Sequence, residues 1–191
     1  LNVVQKALRS GIQCFESSSM GRLFDCVAAL GGFQTKITYD AQAAIEFENL
    51  SEANVPDFYQ YRIDDTQNSL ILGYEEMLNG ILRDLQNQVP KSIISSKFHN
   101  TVVEATADCA CRIRQKTGLE DVVLSGGVFE NTYLLERLLW RLKNLDFKVY
   151  YNRLTPTNDG GISFGQAAAA SAILKENDYV SCHSGQSNQH E

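Results

Sequence analysis

The run Asp121-Val122-Val123-Leu124-Ser125-Gly126-Gly127 decides how the rest of the chain is read. Its apolar, β-branched residues read as a short buried strand. The two glycines that end it read as a turn into the helix spelled by Leu134, Leu135, Leu138, Leu139 and Leu142. The same order recurs downstream, with Phe147-Lys148-Val149-Tyr150-Tyr151 as a strand, Asn158-Asp159-Gly160-Gly161 as a glycine turn, and a helix from Ile162 to Leu174. Two strand–glycine–helix units in succession fit an α/β fold, whose ligand crevice requires the two strands to be parallel neighbours. In open parallel sheets the ligand crevice lies outside the carboxyl ends of neighbouring strands, where both turns fall if these strands are adjacent. Backbone N–H groups and the positive end of a helix dipole would then border a space without side chains, which phosphate or ribose can enter. Neither turn carries the Lys-Ser or Lys-Thr of a Walker loop or the Gly-x-Gly-x-x-Gly dinucleotide fingerprint.

Outward from this core, the amino-terminal half reads as mostly helical. A first helix near 1–11 precedes the polar break Glu16-Ser17-Ser18-Ser19, whose serines can cap a second. In that second helix Met20, Leu23, Val27 and Leu30 are expected to face the core, Gly21, Asp25 and Ala29 line another face, and Gly31-Gly32 ends it. A third helix runs through Ala41, Ala44, Ile45 and Phe47 toward Asn54-Val55-Pro56. Alternation at Tyr59, Tyr61 and Ile63, a polar turn over Asp64-Asp65-Thr66-Gln67-Asn68, and Leu70-Ile71-Leu72 read as two short strands. Helices follow over about 74–88 and, after Pro90, Ser92, Ser95 and Ser96, over 97–117, closed by Gly118. Residues 1–176 read as one lobe and 177–191 as a polar, mobile tail. Because Leu1 already lies in a helical pattern with no initiator Met, the chain is expected to be part of a longer polypeptide.

Composition narrows the function. The 191 residues, 43% of them hydrophobic, suffice for a core, and 17 Lys+Arg against 23 Asp+Glu give a formal charge of -6. That sign disfavours a nucleic-acid surface, while leaving open a nucleotide held by backbone N–H groups. No apolar run is long enough for a membrane span and no secretory signal is seen, so a cytoplasmic protein is expected. The five cysteines lack framework spacing, so reduced thiols are expected. Cys109 and Cys111, two apart on a helix, point about 200° apart and cannot ligate one ion.

Individual residues keep two readings each. Asp159 is either an N-cap of the second turn's helix or a carboxylate reaching a hard metal or a phosphate-bound Mg2+. Gly161, Gly165 and Ala169, four apart, serve either tight helix packing or close approach of a ligand. Asp25 is either a solvated carboxylate paired with Arg22 or a site residue. His99, alone at its spacing, reads as a packed or capping residue, and His183 and His190 carry no signal. No pairing supports a nucleophile system.

At Ser18-Ser19-Met20-Gly21-Arg22-Leu23-Phe24-Asp25, Ser125-Gly126-Gly127-Val128-Phe129-Glu130-Asn131 and Asn158-Asp159-Gly160-Gly161-Ile162-Ser163-Phe164-Gly165-Gln166-Ala167, the chain closely resembles the carboxyl-terminal part of the HypF carbamoyltransferases, hydrogenase maturation factors. Lys97-Phe98-His99-Asn100 looks like that family too. The resemblance implies the second lobe of an actin-like, ribonuclease-H-like two-lobed fold with extra helices, related to the threonylcarbamoyl-adenosine synthases. In that family carbamoyl phosphate and ATP give carbamoyl adenylate, and the carbamoyl group passes to the carboxyl-terminal cysteine thiol of the partner HypE in nickel-iron hydrogenase maturation. Carried over, Gly126, Gly127 and Asn131, with Gly160 and Gly161, would hold ATP or carbamoyl adenylate, and Asp25 would contact the ribose. Asp159 would be the catalytic residue and a ligand of a divalent metal, whether iron, zinc or magnesium.

Departures accompany the match. The family pairs the Asp159 position with two histidines on the first lobe, and no such pair occurs among the three His here. The family's acylphosphatase-like, zinc and adenylate-forming domains are absent from this sequence, so the fragment alone is expected to bind nucleotide weakly and catalyse nothing. Tyr39-Asp40-Ala41-Gln42-Ala43-Ala44 stands where the family reads Tyr-Glu-Gly-Gln-Ala-Ala. Two other readings remain open: a non-catalytic nucleotide-binding or interaction module of the same fold, and an O-carbamoyltransferase of small-molecule biosynthesis.

Overall fold

A computed structural model describes residues 2–12, 14–15, 17–32, 36–67 and 69–184, with side-chain surroundings through residue 175. Leu1, Glu16 and Asn68, the tail from 185 including His190, and the side chains of Cys182 and His183 lie outside the described residues. The chain divides into two compact units, 1–101 and 102–191.

The first unit opens with α1 (Asn2–Ser10) and α2 (Met20–Leu30). Ser19 caps α2, accepting a hydrogen bond from the Arg22 N–H at 3.4 Å. Gly32 closes it in the left-handed region at φ 59°. The buried stripe of α2 is Phe24, Val27 and Ala28, whereas Leu30 is 43% exposed. Leu30 lies about 120° around the axis from Phe24, and it is the bulkier Phe24 that enters the core, edge-on to Phe98 at 4.8 Å. The expected inward face is thus rotated.

Helix α3 (Gln42–Asn49) stops well before Pro56. Its N-cap, Ala41, takes a left-handed φ of 58°, a conformation that glycine adopts without strain and alanine does not. The antiparallel pair β1 (Arg62–Asp65) and β2 (Leu70–Gly73) joins Arg62 to Gly73 and Asp65 to Leu70. Tyr59 and Tyr61 stay outside the ladder, contrary to the alternation reading. The Tyr59 N–H is already donated to Thr101 Oγ1 at 2.8 Å, and its ring packs against Gly80 of α4 (Glu75–Gln86). The Tyr59 hydroxyl donates to Asp84, which also receives Lys97. Burial first, then that hydrogen bond and the Asp84 charge, push the hydroxyl above its ordinary range, so it stays protonated.

The long helix α5 spans Lys91–Thr117, six residues earlier than the serines suggested. It begins directly after Pro90, whose carbonyl accepts from the N–H groups of Ile93 and Ile94. Ser95 and Ser96, read as linker, are fully buried inside it. Their hydroxyls hold the end of α3 and the chain that follows it: Ser95 Oγ donates to the Phe47 carbonyl at 2.5 Å, and Ser96 Oγ accepts the Glu52 N–H at 2.7 Å. One turn on, the buried His99 packs against Phe24 and Phe47, with Nδ1 2.8 Å from the Ser95 carbonyl, as the packed-histidine reading expected. Asn100 Nδ2 donates to the carbonyls of Val55 and Asp57. These contacts account for the early end of α3, because its last carbonyls and the following N–H groups are satisfied by α5 rather than by another helical turn.

In the second unit, β3 (Asp121–Leu124) and β4 (Lys148–Tyr151) pair in parallel, Asp121 opposite Lys148 and Leu124 opposite Tyr151. Between them α6 (Thr132–Lys143) buries Leu134, Leu138 and Leu142. Arg141 of α6 forks onto both Glu104 carboxylate oxygens at 3.0 Å, and the Arg114 guanidinium lies 4.1 Å over the Phe147 ring. After β4, α7 runs Ile162–Ser184, ten residues past its expected end at Leu174. Among the described residues no helix is long and apolar enough to cross a membrane.

Candidate functional site

The two glycine turns leave the carboxyl ends of adjacent parallel strands, the arrangement that makes a crevice in α/β folds. In the first turn, Gly126 takes φ 113°, outside the range of residues with a Cβ. A single 3₁₀ turn then covers Gly127–Glu130 and leads to Asn131. Asn131 is 9% exposed and caps α6, its Oδ1 accepting the Leu134 N–H at 2.8 Å. Its side-chain oxygen is thus bound to its own helix. The N–H groups of Gly127 and Val128 have no acceptor among the described residues.

The second turn is built by Asn158 rather than Asp159. Asn158 Oδ1 accepts the Gly160 N–H at 2.9 Å, and the Asn158 carbonyl accepts the Gly161 N–H at 3.0 Å. The capping reading therefore belongs to the preceding residue. Asp159 itself is exposed, and its carboxylate makes no hydrogen bond or ion pair among the described residues. Gly161 is required by proximity, since a Cβ there would stand 2.5 Å from the Pro156 carbonyl oxygen. Thr157 Oγ1 is buried without a hydrogen-bond partner among the described residues.

Two bonds tie the turns together. The Gly126 N–H donates to the Thr157 carbonyl at 2.9 Å, and Asn158 Nδ2 donates to Glu130 Oε1 at 2.5 Å. The structure thus gathers Gly126, Gly127, Asn131, Asp159, Gly160 and Gly161 in the second unit. Asp25 belongs to the first unit, where its half-buried carboxylate pairs with Arg22 at 3.1 Å, as its alternative reading expected. Sequence reasoning passed over Val128, Glu130 and Asn158 as site residues. Asn158 was detectable, because Asn two residues before Gly is a signature of side-chain-to-backbone turns. Glu130 was not, since its partner lies 28 positions away.

The arrangement suits an anion approached by backbone N–H groups. It does not by itself make a metal centre: among the described residues no three His, Cys, Asp or Glu side chains come together to hold an ion. Asp159 offers one unengaged carboxylate, and the residues present do not complete a ligand set around it. Cys109 is no alternative nucleophile, because burial pushes its thiol up and lowers its thiolate fraction.

Residues 1–166 match the family model described as "Carbamoyltransferase, Kae1-like Domain, second subdomain". The carbamoyltransferase HypF of Synechocystis is 34% identical over 154 residues, which is 80% of this chain and 19% of that protein. The HypF of Rhizobium leguminosarum is 33% identical over 158 residues, 83% of this chain and 20% of that protein. A tRNA N6-adenosine threonylcarbamoyltransferase of Methylobacillus flagellatus is 33% identical over 87 residues, 45% of this chain and 25% of that protein. Among solved structures, a full-length HypF in the phosphate- and nucleotide-bound form superposes with TM-score 0.85 at 44% identity, over 91% of this chain and 23% of that one. The HypF of T. kodakarensis, at 24% identity and TM-score 0.75 over 92% of this chain and 22% of that one, has the same fold. The chain thus spans about a fifth of the length of the relatives it matches.

Proposed function

The chain belongs to the HypF carbamoyltransferase family as the second subdomain of its Kae1-like domain, and from that premise we propose that its paired glycine turns hold the phosphates of ATP and of carbamoyl adenylate. The observation that carries this reading is the first turn, where among the described residues the N–H groups of Gly127 and Val128 have no acceptor and Gly126 takes φ 113°, a conformation that residues with a Cβ rarely adopt. Its strand is paired in parallel with the strand that feeds the second turn. Support comes from the nucleotide-bound form of the superposable HypF.

In the proposed reaction a thiolate of an acceptor protein of the HypE type attacks the carbamoyl carbon of the adenylate. The new C–S bond forms, the bond from that carbon to the phosphate oxygen breaks, and adenylate leaves with the electron pair. The role of this chain is to hold the leaving phosphate against turn N–H groups, which places the carbonyl and stabilises charge developing on the phosphate oxygens. Asn131 contributes by keeping α6, and so the first turn, in position. Asp25 is proposed as a ribose contact, for which it must exchange Arg22 for the ligand. Asp159 is proposed as one oxygen ligand of a divalent metal whose other ligands lie outside this chain, and no step is assigned to that ion.

Gly127→Asp tests the phosphate assignment. A Cβ at Gly127 meets nothing nearer than the Asn158 Cβ at 3.7 Å, and a carboxylate at a turn opening into a helix is electrostatically welcome to the fold. The variant should therefore keep its thermal midpoint while losing affinity for a non-hydrolysable ATP analogue at least tenfold, read by calorimetry on the full-length protein. Equal affinity for the two proteins would remove phosphate from this turn.

A further inference from the structure

We infer that Glu130 is a positioning residue that, through Asn158, fixes the second glycine turn against the first. The inference rests on the nucleotide reading above and deepens it. Asn158 uses both ends of its amide: Oδ1 accepts from Gly160 of its own turn at 2.9 Å, and Nδ2 donates to Glu130 of the other turn at 2.5 Å. Reversing the amide would set NH2 against an N–H and oxygen against a carboxylate, so both bonds together select one orientation.

The partner is the last residue of the first turn's 3₁₀ segment, directly before the α6 cap. The turns are also tied by the backbone bond from Gly126 to Thr157. Without Glu130, Asn158 keeps its local bond to Gly160, and the side-chain tie between the two turns is lost, leaving the backbone bond from Gly126 to Thr157. A charged acceptor strengthens the Nδ2 bond relative to a neutral one. The same carboxylate would repel an incoming phosphate if it swung free, so the Asn158 bond also holds a negative charge in a fixed place beside the turns. Both groups are exposed, so the bridge adds little to global stability and acts on the relative placement of the two turns.

The test compares Glu130→Ala and Glu130→Gln in the full-length protein by three readouts. Thermal midpoints should stay together. In ¹H–¹⁵N spectra without nucleotide, the Asn158 side-chain amide resonances should move in Glu130→Ala, which removes their acceptor. Amide exchange at Gly126, which crosses to Thr157, should accelerate severalfold in Glu130→Ala and be rescued in Glu130→Gln, whose side-chain oxygen can still accept. Affinity for the non-hydrolysable ATP analogue should fall about five- to tenfold in Glu130→Ala, as for loss of one ordering hydrogen bond, and recover in Glu130→Gln. Unchanged Gly126 exchange in Glu130→Ala overturns the bridge whether or not nucleotide binds. Changed exchange with unchanged affinity overturns the positioning role alone. No nucleotide binding by the unsubstituted protein overturns the functional reading and with it the role toward nucleotide, while the exchange data still decide the bridge.

Discussion

Helices α6 and α7 both follow a parallel strand and a glycine turn, and their surroundings differ completely. Helix α6 inserts Leu134, Leu138 and Leu142 into the core, each at most 1% exposed. Helix α7 buries nothing among its described side chains: Phe164 and Leu174 are each 64% exposed and Ile173 is 58%. The turns before them are equally well made, each held by an asparagine side chain that accepts a backbone N–H. Turn chemistry is therefore complete within a few consecutive residues, while helix burial depends on what the rest of the fold brings to the helix. The glycine stripe of α7 divides along the same line. Gly161 is demanded by the Pro156 carbonyl, and a Cβ at Gly165 would meet nothing within 4 Å.

The sharpest way to break this contrast is to shorten equivalent apolar side chains. Leu138→Ala should cost about 2–5 kcal/mol by opening a cavity in the core, whereas Ile173→Ala should change stability by less than about 0.5 kcal/mol. Urea denaturation of the two variants measures both, and a large loss at Ile173 would show α7 packed in solution. Next in size, Gly161→Ala should cost about 1–3 kcal/mol, because the methyl meets a backbone oxygen that cannot move aside. Gly165→Ala should instead gain about 0.5–1 kcal/mol from helix propensity. Opposite signs in thermal unfolding would confirm that one glycine is steric and the other is not.

Asn131→Ala should cost about 1 kcal/mol through loss of the α6 cap, again by denaturation, with Asn131→Asp restoring most of it. The smallest effect is expected at Thr157, the buried hydroxyl without a partner in the second turn. Thr157→Val keeps the shape and removes an unsatisfied polar atom, so stability should hold or rise by up to about 1 kcal/mol. A loss there would mean that the hydroxyl has a partner in solution.

Much of this site was legible because it is local. The strand at 121–124, the glycines after it, the Leu134–Leu138–Leu142 stripe and the second strand all lie where the periodicity put them. The parallel pairing that the crevice argument required is present. The errors cluster where distant residues intervene. Serines are weak helix formers that favour linkers and caps, so Ser92, Ser95 and Ser96 looked like the approach to a helix. Inside α5 the hydroxyls of Ser95 and Ser96 instead satisfy backbone groups 44 to 48 positions away. Tyr59 alternates with Ile63 like a strand residue, yet its N–H goes to Thr101 and its ring to Gly80. In α2, period alone could not choose between a stripe centred on Leu23 and one centred on Phe24; the Phe98 ring made that choice.

The sequence by itself determined the two glycine turns, their asparagine-bearing flanks and the family to which the chain belongs, because a turn needs only the allowed dihedrals and short side chains of neighbouring residues. Tertiary structure decided which oxygen Asn158 holds, that Asn158 rather than Asp159 closes the second turn, and that α6 is buried while α7 is not. Those outcomes depend on groups brought together from distant positions, and a hydrogen bond such as Asn158 to Glu130 exists only once the strands beneath it have paired.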